Sequence, residues 1–109
     1  MILNFGSINI DHVYSVAQIS RPGETIPSRS YRIFAGGKGA NQTAALALAG
    51  AEVAHAGMVG PDGGWVVEKL TSLAAETRYI ITSNGPTGHA IIQVDREGEN
   101  SILLHAGAN

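Results

Sequence analysis

Residues 34–50 read "FAGGKGANQTAALALAG", in which the adjacent glycines Gly36 and Gly37 lead directly into a run of strong helix formers. Gly50 follows the last alanine of that run, and glycine is a common residue just beyond the end of a helix. The segment therefore predicts a tight backbone turn followed by a helix over Gly39–Ala49. Because nearly all its residues after Thr43 are alanine or leucine, this helix is expected to be buried on most sides.

Apolar runs on either side of this helix predict a parallel sheet. The runs are Ile2–Phe5, Val53–Met58 and Tyr79–Thr82, and a second helix of roughly Gly64–Ala75, capped by Asp62, is expected before the last of them. A strand–helix–strand–helix–strand order implies parallel strands joined by right-handed crossovers. Four further strands are predicted to form an antiparallel appendage: Ile10–Val16, Tyr31–Phe34, Ala90–Val94 and Ser101–His105.

Composition excludes several classes of function. A formal net charge of −2 without any cluster of lysine and arginine gives no reason to expect nucleic acid or an anionic membrane as a partner. The absence of cysteine excludes disulfides, thiolate metal sites and a cysteine nucleophile. The four histidines lack metal-ligand spacing, so no metal site is expected. With no signal peptide and no apolar run near the roughly 20 residues of a membrane span, a cytoplasmic protein is expected.

The glycine-rich segment is close to two nucleotide-binding motifs but matches neither. A phosphate-binding P-loop requires Gly-x-x-x-x-Gly-Lys-Ser/Thr, and here Lys38 is followed by Gly39. The dinucleotide fingerprint requires Gly-x-Gly-x-x-Gly directly after the first strand, and the third glycine is replaced by Gln42. A nicotinamide oxidoreductase is therefore the weakest functional hypothesis.

Polar residues near the turn favour a ligand rich in hydroxyl groups. Lys38, Asn41 and Gln42 share one face of the first helical turn, and Asn9 and Asp11 share one face of a strand. If that strand and helix meet at the carboxyl end of the sheet, these groups converge over one crevice. A carboxylate, amides and an ammonium group suit a sugar, whose hydroxyls both donate and accept. The simpler alternatives are that Asn9 and Asp11 cap a turn and that Lys38 is a solvated helix-start residue.

The segments "GSINIDH", "RPGET", "AGGKGANQ", "GEN" and "HAGAN" resemble, in order and spacing, the N-terminal part of the ribokinase-like family of carbohydrate and nucleoside kinases. The resemblance covers the whole chain. It implies a three-layer α/β/α fold with a Rossmann-like parallel sheet and a small antiparallel β-sheet lid, of which only the N-terminal part is present. The lid strands would lie approximately within residues 10–35 and 88–106, and the α/β core approximately within 1–9 and 36–84.

The same resemblance implies roles for individual residues. The positions that match the family's sugar ligands are Asn9, Asp11, Gly37, Lys38 and Asn41. Gly36 and Gly37 match its hinge between lid and core. Family members are roughly three times as long as this chain, which lacks their Gly-Ala-Gly-Asp motif with its catalytic aspartate. No catalytic residue and no bound ATP, Mg²⁺ or monovalent cation is therefore expected in this chain, which alone should be inactive.

For the complete protein the resemblance implies ATP- and Mg²⁺-dependent phosphorylation of the primary hydroxyl of a sugar. Ribose is favoured as the acceptor, and fructose-type and nucleoside acceptors remain open. A homodimer formed through the lid strands is also implied. Two hypotheses from other classes stay open: a catalytically inactive fragment that binds a sugar or nucleoside, and a module that mediates dimerisation through the lid.

Overall fold

Seven strands and two α-helices make up the chain, and the computed structural model describes all 109 residues. In chain order they are β1 (Ile2–Phe5), β2 (Asn9–Ser15), β3 (Ser30–Gly36), α1 (Lys38–Leu48), β4 (Val53–Val59), α2 (Gly64–Ser72), β5 (Glu76–Thr82), β6 (Gly88–Val94) and β7 (Asn100–His105). A short 3₁₀ turn at Pro61–Gly63 precedes α2. Neither α-helix has the length and apolar character that crossing a bilayer requires.

The predicted parallel sheet is confirmed. Its strands follow the order β1-β4-β5, and both neighbouring pairs run parallel. Helices α1 and α2 touch each other and pack against this sheet, because their small and branched residues share one hydrophobic cluster with the strands. The buried members of the cluster are Ile8, Ile10, Ala40, Val53, Val59, Val66, Leu70 and Ala75.

The opposite face of this sheet, here called the open face, is not covered by residues 1–109. Leu3 and Phe5 alternate along β1 with Asn4, whose side chain contacts α1, so they project from the other side of the sheet. Phe5 is 83% exposed, and Tyr79 and Ile81 of β5 are also exposed. Residues 1–109 thus contribute the sheet and one helical layer of the predicted three-layer fold.

A second sheet, here called the lid sheet, has the strand order β3-β2-β6-β7. Its outer pairs, β2–β3 and β6–β7, are antiparallel as predicted, but the central pair β2–β6 is parallel. The prediction of an antiparallel lid was therefore wrong at its centre. The register shows this directly, because the first residues of the two strands, Asn9 and Gly88, pair with each other. Both strands start from the same end of the sheet and run in the same direction. The residue boundaries assigned to lid and core remain a prediction.

Candidate functional site

The two predicted hinge glycines connect the lid sheet to α1. Gly36 ends β3, and Gly37 adopts a φ of 91° immediately before the first residue of α1. This φ lies in a region that side chains other than glycine's rarely adopt. A Cβ on Gly37 would also lie 2.7 Å from the Ser7 carbonyl oxygen and 2.9 Å from the Asn9 nitrogen. Glycine is therefore required at residue 37 by both conformation and space.

Asp11 lies beside this connection. Its carboxyl group occupies the space that a Cβ on Gly36 would fill, so the two residues are in direct contact. Burial raises the pKa of the Asp11 carboxyl, and the neighbouring His12 partly offsets that effect. The Asp11 side chain forms no ion pair, because the only ion pairs of the structure lie elsewhere in the chain. A partly desolvated carboxylate without a cationic partner retains its capacity to accept hydrogen bonds.

Asn9 is held in place by Asn109, a residue that the sequence reasoning did not include in the site. Asn109 Nδ2 donates to Asn9 Oδ1 at 2.7 Å and to Ile8 O at 3.2 Å. Asn109 Oδ1 in turn accepts a hydrogen bond of 2.9 Å from Ile8 N. These bonds join positions up to 101 residues apart in the chain. The one available sequence signal was the "HAGAN" segment, which the resemblance used without assigning a role to its last residue.

Lys38 and Asn41 occupy the first turn of α1, and both side chains are exposed. The backbone of Asn41 is tied to the turn, because its N–H donates to Gly37 O at 2.9 Å. Neither side chain forms a hydrogen bond or an ion pair with Asn9 or Asp11, and Asn41 borders a groove between α1 and α2. The structure thus brings Asn9, Asp11 and the two glycines together, with Lys38 and Asn41 on the adjoining helical turn.

The amides at the start of α1 are already bonded within the protein. Gly39 N–H points to Ser7 Oγ at 3.5 Å, and Ala40 N–H donates to Ser7 O at 2.9 Å. A phosphate-binding loop needs such amides free to face the anion. The geometry therefore agrees with the sequence, which does not match the P-loop motif.

The second connection between the sheets is fixed by Asp62. The sequence predicted that Asp62 caps α2, but the cap position is Gly63 and no side chain bonds there. The Asp62 carboxylate instead accepts hydrogen bonds from Thr87 N at 2.9 Å and Thr87 Oγ1 at 2.7 Å, and these bonds lower the pKa of Asp62. Thr87 Oγ1 also accepts from Gly60 N at 2.8 Å. This cluster sets the point at which the chain enters β6 beside Asn9.

The largest cavity, of about 840 Å³, lies on the open face and not over Asp11. It is lined mainly by apolar groups of β1, β4 and β5, including Phe5, Met58 and Ile81. Its contact with the candidate site is limited to the side where Ser7 and Asn109 lie. The residues predicted to bind a ligand and the largest cavity are thus neighbours and not the same feature.

Comparison with known proteins places these features in a family. Ribokinase of Haemophilus influenzae is 46% identical over 107 residues, which cover 95% of this chain and 35% of that protein. The crystal structure of ribokinase from Cryptococcus neoformans in complex with ADP matches with a TM-score of 0.90 and 48% identity, over 98% of this chain and 34% of that one. The structure of Arabidopsis thaliana ribokinase complexed with ribose and ATP matches with a TM-score of 0.90 and 34% identity, over 99% of this chain and 36% of that one.

These matches confirm the predicted ribokinase-like fold, and the chain spans about a third of the length of the relatives that it matches. The family profile described as "pfkB family carbohydrate kinase" matches residues 1–109. This chain therefore belongs to the pfkB family of carbohydrate kinases.

Proposed function

We propose that residues 1–109 form the sugar-binding part of an ATP-dependent carbohydrate kinase that phosphorylates ribose at its primary hydroxyl. The observation that carries the proposal is the partly buried Asp11 carboxyl, which lies against the bare Cα of Gly36 and forms no ion pair. A carboxylate accepts hydrogen bonds from hydroxyl groups, and such bonds offset the desolvation that raises its pKa. The ribokinase relatives support ribose as the acceptor.

The other proposed ligands supply donors. Asn109 Nδ2 already donates to Asn9 Oδ1. The Nδ2 hydrogens of Asn9 can then donate to a sugar oxygen. The Lys38 ammonium adds further donors from the first turn of α1, and Asn41 offers an amide from the same turn. A carboxylate acceptor together with amide and ammonium donors suits hydroxyl groups, each of which can donate and accept at once.

We also propose that the nucleotide, the cations and the catalytic base are bound by residues outside 1–109. Two observations support this: the amides of Gly39 and Ala40 at the start of α1 already face Ser7, and the chain spans about a third of the length of its ribokinase relatives. The 109-residue chain should form no ADP from ATP in the presence of ribose, and measurable turnover would contradict that placement.

Isothermal titration of the chain with ribose tests the acceptor site. Binding is expected in the millimolar range, with a binding free energy of about −4 kcal/mol. Asp11→Asn should weaken it by about ten- to a hundredfold, because hydrogen bonds to a charged group contribute about 1.5–3 kcal/mol.

Asp95→Asn is the matched control for the Asp11 variant. It makes the same change of charge in the turn between β6 and β7, where the Asp95 carboxylate accepts only from Glu97 N and Glu99 N. Its ribose affinity should equal that of the wild type. Equal affinities for wild type and Asp11→Asn would remove Asp11 from the site.

We also propose that the lid sheet mediates a homodimer. Large apolar side chains are exposed on its outer strands β3 and β7, and an exposed edge strand with apolar residues favours pairing with another chain. Light scattering should report a dimer that Leu103→Lys converts to monomer. Leu48→Lys is the matched control, because Leu48 of α1 is 73% exposed and Leu103 is 69% exposed. A monomeric wild-type chain would contradict the dimer.

A further inference from the structure

A buried set of polar side chains lies beneath the candidate site and has no role in the function proposed above. It is called the relay here and consists of Asn4 of β1, Thr43 of α1 and His55 of β4. Asn4 Nδ2 donates to Gly39 O and to Thr43 Oγ1, each at 2.9 Å. Thr43 Oγ1 lies 2.7 Å from His55 Nδ1, and His55 Nε2 lies 3.0 Å from Gly6 O. Thr43 and His55 are fully buried.

The chemistry of these groups fixes the direction of every bond in the relay. A carbonyl oxygen only accepts, so His55 Nε2 carries the proton and donates to Gly6 O. His55 Nδ1 is then an acceptor for the Thr43 hydroxyl, whose oxygen in turn accepts from Asn4. Burial lowers the pKa of His55, although the bond to the Gly6 carbonyl acts in the opposite direction. The imidazole is therefore neutral, and no buried side-chain polar atom is left without a partner.

The relay holds both sides of a very close backbone contact, between Gly6 and Gly39. Gly6 and Gly39 approach so closely that a Cβ on Gly39 would lie 2.5 Å from the Gly6 carbonyl carbon. His55 bonds to the carbonyl group of Gly6, and Asn4 bonds to the carbonyl group of Gly39. The peptide unit between Gly39 and Ala40 is bonded at both of its polar groups. Its carbonyl oxygen accepts from Asn4 Nδ2, and its N–H donates to Ser7 O.

We infer that Asn4, Thr43 and His55 are positioning residues for the sugar site. Their side chains form no hydrogen bond with any of the proposed sugar ligands. By fixing Gly6 against Gly39, the relay sets the position of Lys38 at the start of α1 relative to Asn9 at the start of β2. The consequence for sugar affinity rests on the proposed function, whereas the consequence for the Gly6–Gly39 contact does not.

Two substitutions at Thr43 separate the hydroxyl from the shape of the side chain. Thr43→Val keeps the shape and removes the hydroxyl, which leaves His55 Nδ1 buried without a donor. Thr43→Ser keeps the hydroxyl. Amide hydrogen exchange at Ala40 should become about tenfold faster or more in Thr43→Val, because an unsatisfied buried group costs about 1–3 kcal/mol. In Thr43→Ser it should stay within about threefold of wild type, as expected for a change of about 0.5 kcal/mol.

Ribose affinity provides the second readout, measured where every variant is fully folded. Thr43→Val should weaken binding by about tenfold and Thr43→Ser should restore it. Val66→Ala is the control for lost stability, because Val66 belongs to the buried cluster but not to the relay. Its affinity should equal that of the wild type. If Val66→Ala weakens binding as much as Thr43→Val, or if Thr43→Val leaves Ala40 exchange unchanged, the positioning role is refuted.

The two proposals can fail separately. A wild-type chain that gives no ribose signal contradicts the sugar site, while Ala40 exchange still decides whether the relay holds the contact. Should Thr43→Val not fold, Asn4→Leu at the less buried end of the relay removes the bond to Gly39 O and should accelerate Ala40 exchange in the same way. Nitrogen-15 spectra provide a direct check, because protonation of His55 at Nδ1 and not at Nε2 would overturn the assigned bond directions.

Discussion

Gly39→Ala tests the backbone contact that joins β1 to α1. The added Cβ would lie 2.5 Å from the Gly6 carbonyl carbon and 2.6 Å from both Gly6 Cα and Ser7 N. Non-bonded carbon atoms are most favourable at about 3.5–4.0 Å, so the two segments must separate by about 1 Å. All three facing atoms belong to the main chain, and no flexible side chain can move aside to make room.

The expected loss of stability follows from three contributions. Overpacking costs about 1–3 kcal/mol, and the separation also weakens the bond from Ala40 N–H to Ser7 O, which contributes about 1 kcal/mol. The higher helix propensity of alanine offsets about 0.5–1 kcal/mol of this. The free energy of unfolding of Gly39→Ala should therefore fall by about 1–3.5 kcal/mol.

Gly64→Ala is the matched control, because Gly64 begins α2 with a φ of −58° and no atom lies within 4 Å of the added Cβ. That variant should gain about 0.5–1 kcal/mol in urea unfolding followed by circular dichroism. The two variants should also differ in melting temperature by about 10–20 °C. If Gly39→Ala is as stable as the wild type, or gains stability as the control does, the close contact does not constrain the fold.

Three further predictions concern the two connections and the relay. Gly36→Ala places a Cβ where the Asp11 carboxyl lies, so it should weaken ribose binding by about tenfold in titration calorimetry, and unchanged affinity would contradict the contact. The lowered pKa of His55 means that the unfolded chain takes up the proton first as the pH falls below about 6.5. The contribution of neutral His55 to the free energy of unfolding should be full above that pH, decline as the pH falls towards the pKa of His55 in the folded chain, and then level off. Urea unfolding at several pH values should therefore show wild type losing this contribution at low pH, whereas His55→Phe should not. Parallel pH profiles for the two proteins would contradict this. Thr87→Val leaves Gly60 N and the Asp62 carboxylate without the Thr87 hydroxyl and should cost about 1–3 kcal/mol in urea unfolding, whereas Thr87→Ser should stay near wild type.

Local pattern was enough to predict the α/β part of the chain. The alanine- and leucine-rich run ending at Gly50 predicted the helix that the structure places at Lys38–Leu48, and the alternation of strands and helices predicted the parallel sheet. These features depend on residues close in sequence, where helix propensity and glycine conformation act directly.

Features that depend on distant residues were missed. The direction of β6 relative to β2 is set where Asp62 holds Thr87, and no property of either strand alone encodes it. The bond from Asn109 to Asn9 is equally invisible in a local pattern, because it joins opposite ends of the chain. Of the predicted site, the structure brings Asn9 and Asp11 to the two glycines, while the ligand roles of all these residues remain predictions.

The parallel pairing of β2 with β6 has a consequence for the order of folding. The three strands that the parallel sheet has within residues 1–109 have been synthesised once the chain reaches Thr82, whereas β2 and β3 have only each other until β6 emerges. An isolated two-stranded hairpin is marginally stable in water, and closing long loops is the slow step in folding. During synthesis β1, β4 and β5 and the two helices should therefore pack together first, and the lid sheet should acquire structure only when β6 and β7 emerge.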